Sequence, residues 1–382
     1  MVFKAPAELS VGFTPELLVA DAHRLAGVRS DEPLHYLDGL EKLASAVDTE
    51  ARLTGAGRKY TRAALVKAIA NQLHVRHLVA SSPDISQISV QPVFITGLLR
   101  TGTTFLQHLL AQHPDLRSPA LWEMMAPARP GEPAELIAEC ERYIEEYYQA
   151  APAFKAIHPL DAHLPEECHR LTANTFRDPI YTLRYRVPSY TDWLSGQTMV
   201  PSYEFHLAQL QCILARQLGN PVVLKCPSHL WHLDALAEVY PTAKIIRMHR
   251  TPADAVPSVC SLTAVVRAAR TRDVDKEEIG RYWLEQAKKA LGNLREGIGP
   301  TSVPPLDLRY MDLVADPIGV AAQVCHYIGV PLTEQARRQM SNFIANPAGD
   351  SIGSHHYSAQ EFGLQPQKLE EQFDDYIAEF GL

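Results

Sequence analysis

A chain of 382 residues, 46% hydrophobic and 21% charged, has ordinary globular composition and enough apolar material for a sizeable core. Its formal net charge of −8 argues against a general nucleic-acid binder, while leaving room for a local basic pocket. The six scattered cysteines form no C-x-x-C pair, so buried reduced thiols are expected rather than a zinc site or a disulfide framework, and a cytoplasmic location with no signal peptide and no transmembrane segment is the expectation.

Taken in chain order, residues 8–80 read as helical, because "PELLVADAHRLAGV" and "TRAALVKAIANQLHVRHLVA" repeat apolar residues at helical spacing. "SSPDISQ" (81–87) is expected as a loop, and "ISVQPVFITG" as a buried strand ending in glycine. "TTFLQHLLAQHP" comes next as a helix with Phe105, Leu106, Leu109 and Leu110 on one face and Pro114 as its stop. Residues 131–217 read as a mostly helical insertion. The alternation then resumes: "NPVVLKC" as a strand and "SHLWHLDALAEVYP" as one helix capped by Ser228. "AKIIRMHR" is a strand, and "TPADAVPSVCSLTAVVRAAR" a helix capped by Thr251 and kinked at Pro257. "VPPLDLRY" is a strand, "DPIGVAAQVCHYIG" a helix closed by Gly329, and "LEEQFDDYIAEF" a packed amphipathic helix.

Strands alternating with helices predict an α/β fold with a central parallel sheet flanked by helices on both faces. The expected organisation is one domain over 1–382. Its α/β core spans 88–130 and 218–332, with a helical segment over 1–87, an acceptor-side insertion over 131–217 and a tail over 333–382. Ligands of such sheets bind at the carboxyl ends of the strands, which puts Arg100, Lys225 and Arg250 at one edge.

"FITGLLRTGTTFL" (94–106) carries Gly97 and Gly102 at the spacing of a phosphate loop between a strand and a helix start. Backbone amides there, with hydroxyls of Thr101, Thr103 and Thr104, make an anion site. The lysine of a nucleoside triphosphatase is replaced by Thr103, and no acidic strand end is present to hold magnesium. The positive charge comes from arginine and lysine, with no metal expected.

The ordered set of motifs resembles the sulfotransferases that use 3′-phosphoadenosine 5′-phosphosulfate (PAPS), bacterial members in particular, and implies their phosphate-loop-like three-layer fold. "RTGTT", Arg100 to Thr104, is similar to the family loop that binds the 5′-phosphosulfate. "IIRMHRTPADAVPS" is similar to the segment whose Arg and Ser, here Arg250 and Ser258, hold the 3′-phosphate. "VVLKCP" supplies Lys225, matching a lysine that contacts the transferred group, and "RYMDLVADP" supplies Tyr310 near the adenine. The tail "HHYSAQEFGL" resembles one bacterial branch. The resemblance covers roughly residues 90–330 and implies in-line transfer of a sulfonate to an acceptor hydroxyl. Lys225 and Arg100 would stabilise charge on the departing oxygen, and 3′-phosphoadenosine 5′-phosphate (PAP) would be the product.

The general base is expected at Glu123, in "PALWEMM", or second at His229, since relatives place a glutamate or a histidine near those positions. The alternatives are a PAP-binding protein without turnover and a degenerate phosphate-loop kinase needing magnesium and ATP. "HLPEECHRL" (163–171) is expected as a polar helix face rather than a metal site. Tyr143, Tyr147, Tyr148, Tyr181, Tyr185, Tyr190 and Tyr203 either line an acceptor pocket or pack as a half-buried face. A small molecule, a glycan and a lipid all stand open as acceptor.

Overall fold

The computed structural model describes residues 12–28, 36–219, 221–296, 303–346 and 358–382, with side chains 293, 295 and 296 left aside. Residues 8–11 and 29–35 of the expected N-terminal helical segment, Asn220, and residues 355–357 of the tail motif lie outside the described residues.

Four strands form one parallel sheet: β1 (Pro92–Gly97), β2 (Val222–Lys225), β3 (Lys244–His249) and β4 (Leu306–Arg309), in the order β2-β1-β3-β4. These are the four runs rich in Val, Ile and Leu expected to be strands. Successive strand side chains point to opposite faces, and the sheet feeds two separate cores. Phe94, Leu224 and Ile245 join one core, with Leu65, Ile69 and Leu73 of the Gly55–Ser81 helix and Val256 and Val259 of the Pro252–Ala268 helix. Val93, Ile95, Val223, Ile246 and Met248 join the other, under Leu106, Leu109 and Leu110 of the Thr103–Leu110 helix and Val320 and Val324 of the Pro317–Ile328 helix. The result is three layers, helix, sheet, helix. Each fully buried Leu contributes about 1.5–3 kcal/mol relative to exposure, so the central strands hold the frame.

Several elements depart from expectation. Phe105 does not share the buried face of its helix; it is exposed and meets Phe343 at a ring distance of 6.1 Å. The segment 81–87 coils into a 3-10 turn, Pro83–Gln87. The expected single helix after β2 is two pieces, a 3-10 turn Pro227–Trp231 and a helix Leu233–Val239, broken at His232 with φ −141°. Ser228 therefore caps nothing; its Oγ lies 3.0 Å from Cys226 Sγ. Thr251 holds the N-cap position but makes no side-chain capping bond, and its helix continues through Pro257. The C-terminal amphipathic run is also divided, into Pro366–Gln372 and Asp374–Phe380. Gly329 closes its helix as expected, at φ 76°. All six cysteines are buried and unpaired, and no helix among the described residues is long and apolar enough to cross a membrane.

In this strand order β1 sits between β2 and β3, so the chain leaves it in both directions and opens a crevice at the carboxyl ends, where parallel sheets bind ligands. The register puts Lys225 beside Ile95 and Met248 beside Gly97. The ends of β1, β2 and β3 therefore converge on the turn after Gly97.

Candidate active site

The turn between β1 and the Thr103–Leu110 helix is built on unusual backbone. Arg100 adopts φ 73°, a region few non-glycine residues enter, and Gly102 adopts φ 84°. A Cβ on Gly102 would lie 2.9 Å from Tyr310 Cδ2, so glycine is required both for the turn and for the ring beside it. Thr101 is buried and its hydroxyl donates to Leu98 O at 2.8 Å, so that hydroxyl secures the loop itself rather than facing a ligand. Thr103 is buried at the first turn of the helix. Neither N-cap residue, Gly102 here or Thr251 of the Pro252–Ala268 helix, makes a side-chain capping bond, which leaves both amino ends suited to anions.

The expected binding residues meet here. Arg250 Nη1 donates to Arg100 O at 3.0 Å, and its guanidinium lies 4.4 Å from the centre of the Tyr310 ring. Arg100 Nε donates to Ser258 Oγ at 3.1 Å, and its Nη1 donates to Ile157 O at 3.0 Å. The Arg100 guanidinium thus reaches towards Ser258. Lys225 is fully buried, with Nζ donating to Thr104 Oγ1 at 3.0 Å and to Glu167 Oε1 at 2.7 Å.

Glu167 is the residue that sequence spacing missed. It comes from "HLPEECHRL", and the structure corrects the expectation of a polar helix face: Glu166 is buried, with His158 at 2.8 Å and Arg170 at 3.0 Å. Cys168 N donates to Lys225 O at 2.9 Å, which stitches this segment to the end of edge strand β2. The Glu167 Oε2 atom meets His169 Nδ1 at 3.0 Å. Burial pushes the Glu167 carboxyl up, but Lys225 and His169 outweigh it and hold the group well below the usual carboxylate range. Burial lowers His169 to about 4 despite its bond to Glu167, so the imidazole is neutral at pH 7. The only sequence signal was two adjacent acids followed by histidine in a segment with no strand of its own.

Neither expected base hydrogen-bonds to Lys225 among the described residues. Glu123 is buried, its carboxylate bonded to Arg117 Nη2 and to Ala120 N at 2.8 Å. Arg117 bridges to Val222 at the start of β2, while Lys225 ends that strand about 10 Å further along. His229 is buried beside Phe94, ring centres 5.0 Å apart, with Nδ1 and the Tyr203 hydroxyl 2.8 Å apart. Burial, with neighbouring His206 and His232, drives its pKa well below the usual value.

A cavity of about 480 Å³ opens beside this centre, with Glu167, His169, Cys226 and Ser228 in its lining. None of the seven tyrosines between 143 and 203 lines it; five of them, Tyr147, Tyr181, Tyr185, Tyr190 and Tyr203, are buried in the first core. Its aromatic wall is Trp231, Tyr282 and Trp283 instead.

Comparison with known proteins identifies the family and the fold. A family model described as the sulfotransferase family matches residues 92–334. An omega-hydroxy-beta-dihydromenaquinone-9 sulfotransferase, Stf3, of Mycobacterium bovis is 25% identical over 303 residues, 76% of each chain. The crystal structure of sulfotransferase STF1 from Mycobacterium tuberculosis superposes with a TM-score of 0.82 at 29% identity, covering 96% of this chain and 100% of that one. Sulfotransferase STF9 from Mycobacterium avium shares the fold with a TM-score of 0.86 at 24% identity, over 98% of both chains.

Proposed function

We propose that this chain, which belongs to the sulfotransferase family, takes its sulfonate from PAPS and passes it by in-line displacement to a hydroxyl of its acceptor. The observation that carries the reading is Lys225. A fully buried cation at the carboxyl end of β2 touches both the phosphate-loop helix, through Thr104, and a carboxylate that opens onto a cavity.

In this reading the backbone of 100–104 and the amino end of the Thr103–Leu110 helix hold the 5′-phosphosulfate. Arg250 and Ser258 hold the 3′-phosphate, with Arg100 bonded between loop and Ser258. Tyr310 stacks near the adenine. Lys225 stabilises the bridging oxygen as it leaves, in a site from which water is excluded. The base role moves from Glu123 and His229 to Glu167. Its carboxylate is the one that contacts Lys225 and lines the cavity, and His169 orients it.

Transfer of radiolabel from PAPS to an acceptor, together with a thermal-shift titration by PAP, tests the reading. PAP should stabilise the protein equally with and without magnesium. Arg250→Ala should weaken PAP binding by about 10- to 100-fold, the loss of a charge-assisted phosphate contact. Stabilisation by ATP with magnesium and not by PAP would overturn it.

A further inference from the structure

The cavity beside Glu167 has two chemically distinct ends. Its inner end gathers Glu167, His169, Asp178 and Ser228, while its outer rim carries the exposed Asp192, Ser195 and Lys289. The rest of the lining is mainly Ile180, Leu183, Leu194 and the rings of Trp231, Tyr282 and Trp283, with Thr191, His232 and Gln286 adding a few polar atoms.

The polar handles of those three rings are already engaged. Trp231 Nε1 donates to Gln286 O at 3.0 Å, and Trp283 Nε1 donates to Thr263 Oγ1 at 2.7 Å. Thr182 Oγ1 donates to Pro179 O, so the Tyr282 hydroxyl, 2.7 Å from Thr182 Oγ1, is the donor in that pair. A ligand in the cavity therefore meets mostly ring faces and aliphatic carbons, with Thr191, His232 and Gln286 as the few polar neighbours away from Glu167 and the exposed rim. A sugar there would lose its hydration and recover few hydrogen bonds, which is costly for each hydroxyl. An apolar body gains by the same contacts, and a cavity of this size takes a drug-sized portion of it.

We propose that this cavity is the acceptor site and that it takes a neutral alcohol or phenol. The hydroxyl end reaches Glu167, the apolar body lies against Trp231, Tyr282, Trp283, Leu183 and Leu194, and any longer tail leaves past Asp192 and Lys289. Glycans are rejected by the wall. The carboxylates of Glu167 and Asp178 at the inner end set the site against acceptors that are themselves anionic. The placement of the hydroxyl rests on the sulfonate-transfer reading; the apolar selectivity of the cavity stands on its own lining.

The two are separable by experiment. Binding of 1-decanol and 4-octylphenol to the nucleotide-free protein is read by intrinsic tryptophan fluorescence, with methyl β-glucoside as the polar comparison. Both apolar probes should bind saturably and the glucoside should not. Ile180 lines the cavity and is only half-buried, so Ile180→Arg puts a charge there without emptying a core; Ile180→Gln is the milder variant should the first fold poorly. Either should weaken decanol binding, the arginine by about tenfold or more, with PAP stabilisation unchanged. Glucoside binding as tight as decanol, or decanol binding indifferent to both variants, overturns the proposal. Decanol binding with no response to PAP leaves the cavity assignment standing and defeats the donor assignment instead.

Discussion

Lys225 and Glu167 lie 58 residues apart in the chain and 2.7 Å apart in space. The Lys225 motif was readable, because an apolar strand ending in lysine is a local pattern. Its partner was not readable, because the link is the Cys168 N to Lys225 O bond at the edge of β2, which no spacing announces. Glu123 was readable as an acid near the loop, yet its carboxylate holds Arg117 and the Ala120 amide. The two glutamates should separate by kinetics and stability. Glu167→Gln should lower kcat by about 10²–10⁴ with PAP affinity retained. Glu123→Gln should leave kcat near that of the parent but destabilise the fold by about 1–3 kcal/mol, because the half-buried Arg117 guanidinium loses its charge partner. Steady-state kinetics and denaturant unfolding on the two variants decide it; a collapse of kcat in the Glu123 variant alone returns the base to that residue.

At the level of elements, β1, β2 and β3 were legible because short runs rich in Val and Ile are strong local signals, and β4 because alternating leucines follow the Pro304–Pro305 pair. The connections leaving the strands were less legible. The segment after β2 reads as one helix from its apolar spacing, but the chain first makes the Pro227–Trp231 turn, where Pro227 O accepts from Thr96 Oγ1 at 3.1 Å. That tertiary bond to β1 lies outside any local pattern. The aromatic wall of the cavity was illegible for a related reason: Trp231 comes from this turn, while Tyr282 and Trp283 come from the Lys276–Glu296 helix. The loop itself gives a clean test. Gly102→Ala forces a positive φ on alanine and drives Cβ into the Tyr310 ring. It should cost about 1–2 kcal/mol of stability from the backbone alone and weaken PAP binding. Unchanged melting and unchanged PAP affinity would show that the loop relaxes freely.

Across the whole molecule, the chain's end returns to the sheet. The Tyr376 hydroxyl and His249 Nδ1 lie 2.7 Å apart, and the Phe380 ring stacks on the His249 imidazole at 3.8 Å. His249 Nε2 in turn lies 2.7 Å from Asp307 Oδ1 on β4, and Arg309 Nη1 donates to Gly381 O at 3.4 Å. His249 is the residue before Arg250, so the last helix braces the strand end that presents the proposed phosphate-binding arginine. Phe380→Ala should cost about 1–3 kcal/mol in stability and also raise the PAP dissociation constant, although Phe380 is on another element and makes none of the proposed phosphate contacts. Isothermal titration beside a melting curve reads both; lost stability with intact PAP affinity would reduce the tail to a structural cover.

The buried pair of Lys225 and Glu167 also couples the two halves of the reaction through charge. While the donor is absent, the nearby cation keeps the carboxylate a weak base. A phosphosulfate arriving beside Lys225 brings negative charge of its own, which offsets that cation and raises the proton affinity of Glu167. The acidic limb of kcat, which reports the loaded enzyme, should then lie at higher pH than the acidic limb of kcat/KM for the donor, which reports the free enzyme. Each turnover would begin with the donor strengthening the base that activates its own attacker, and an unloaded enzyme would leave alcohols untouched.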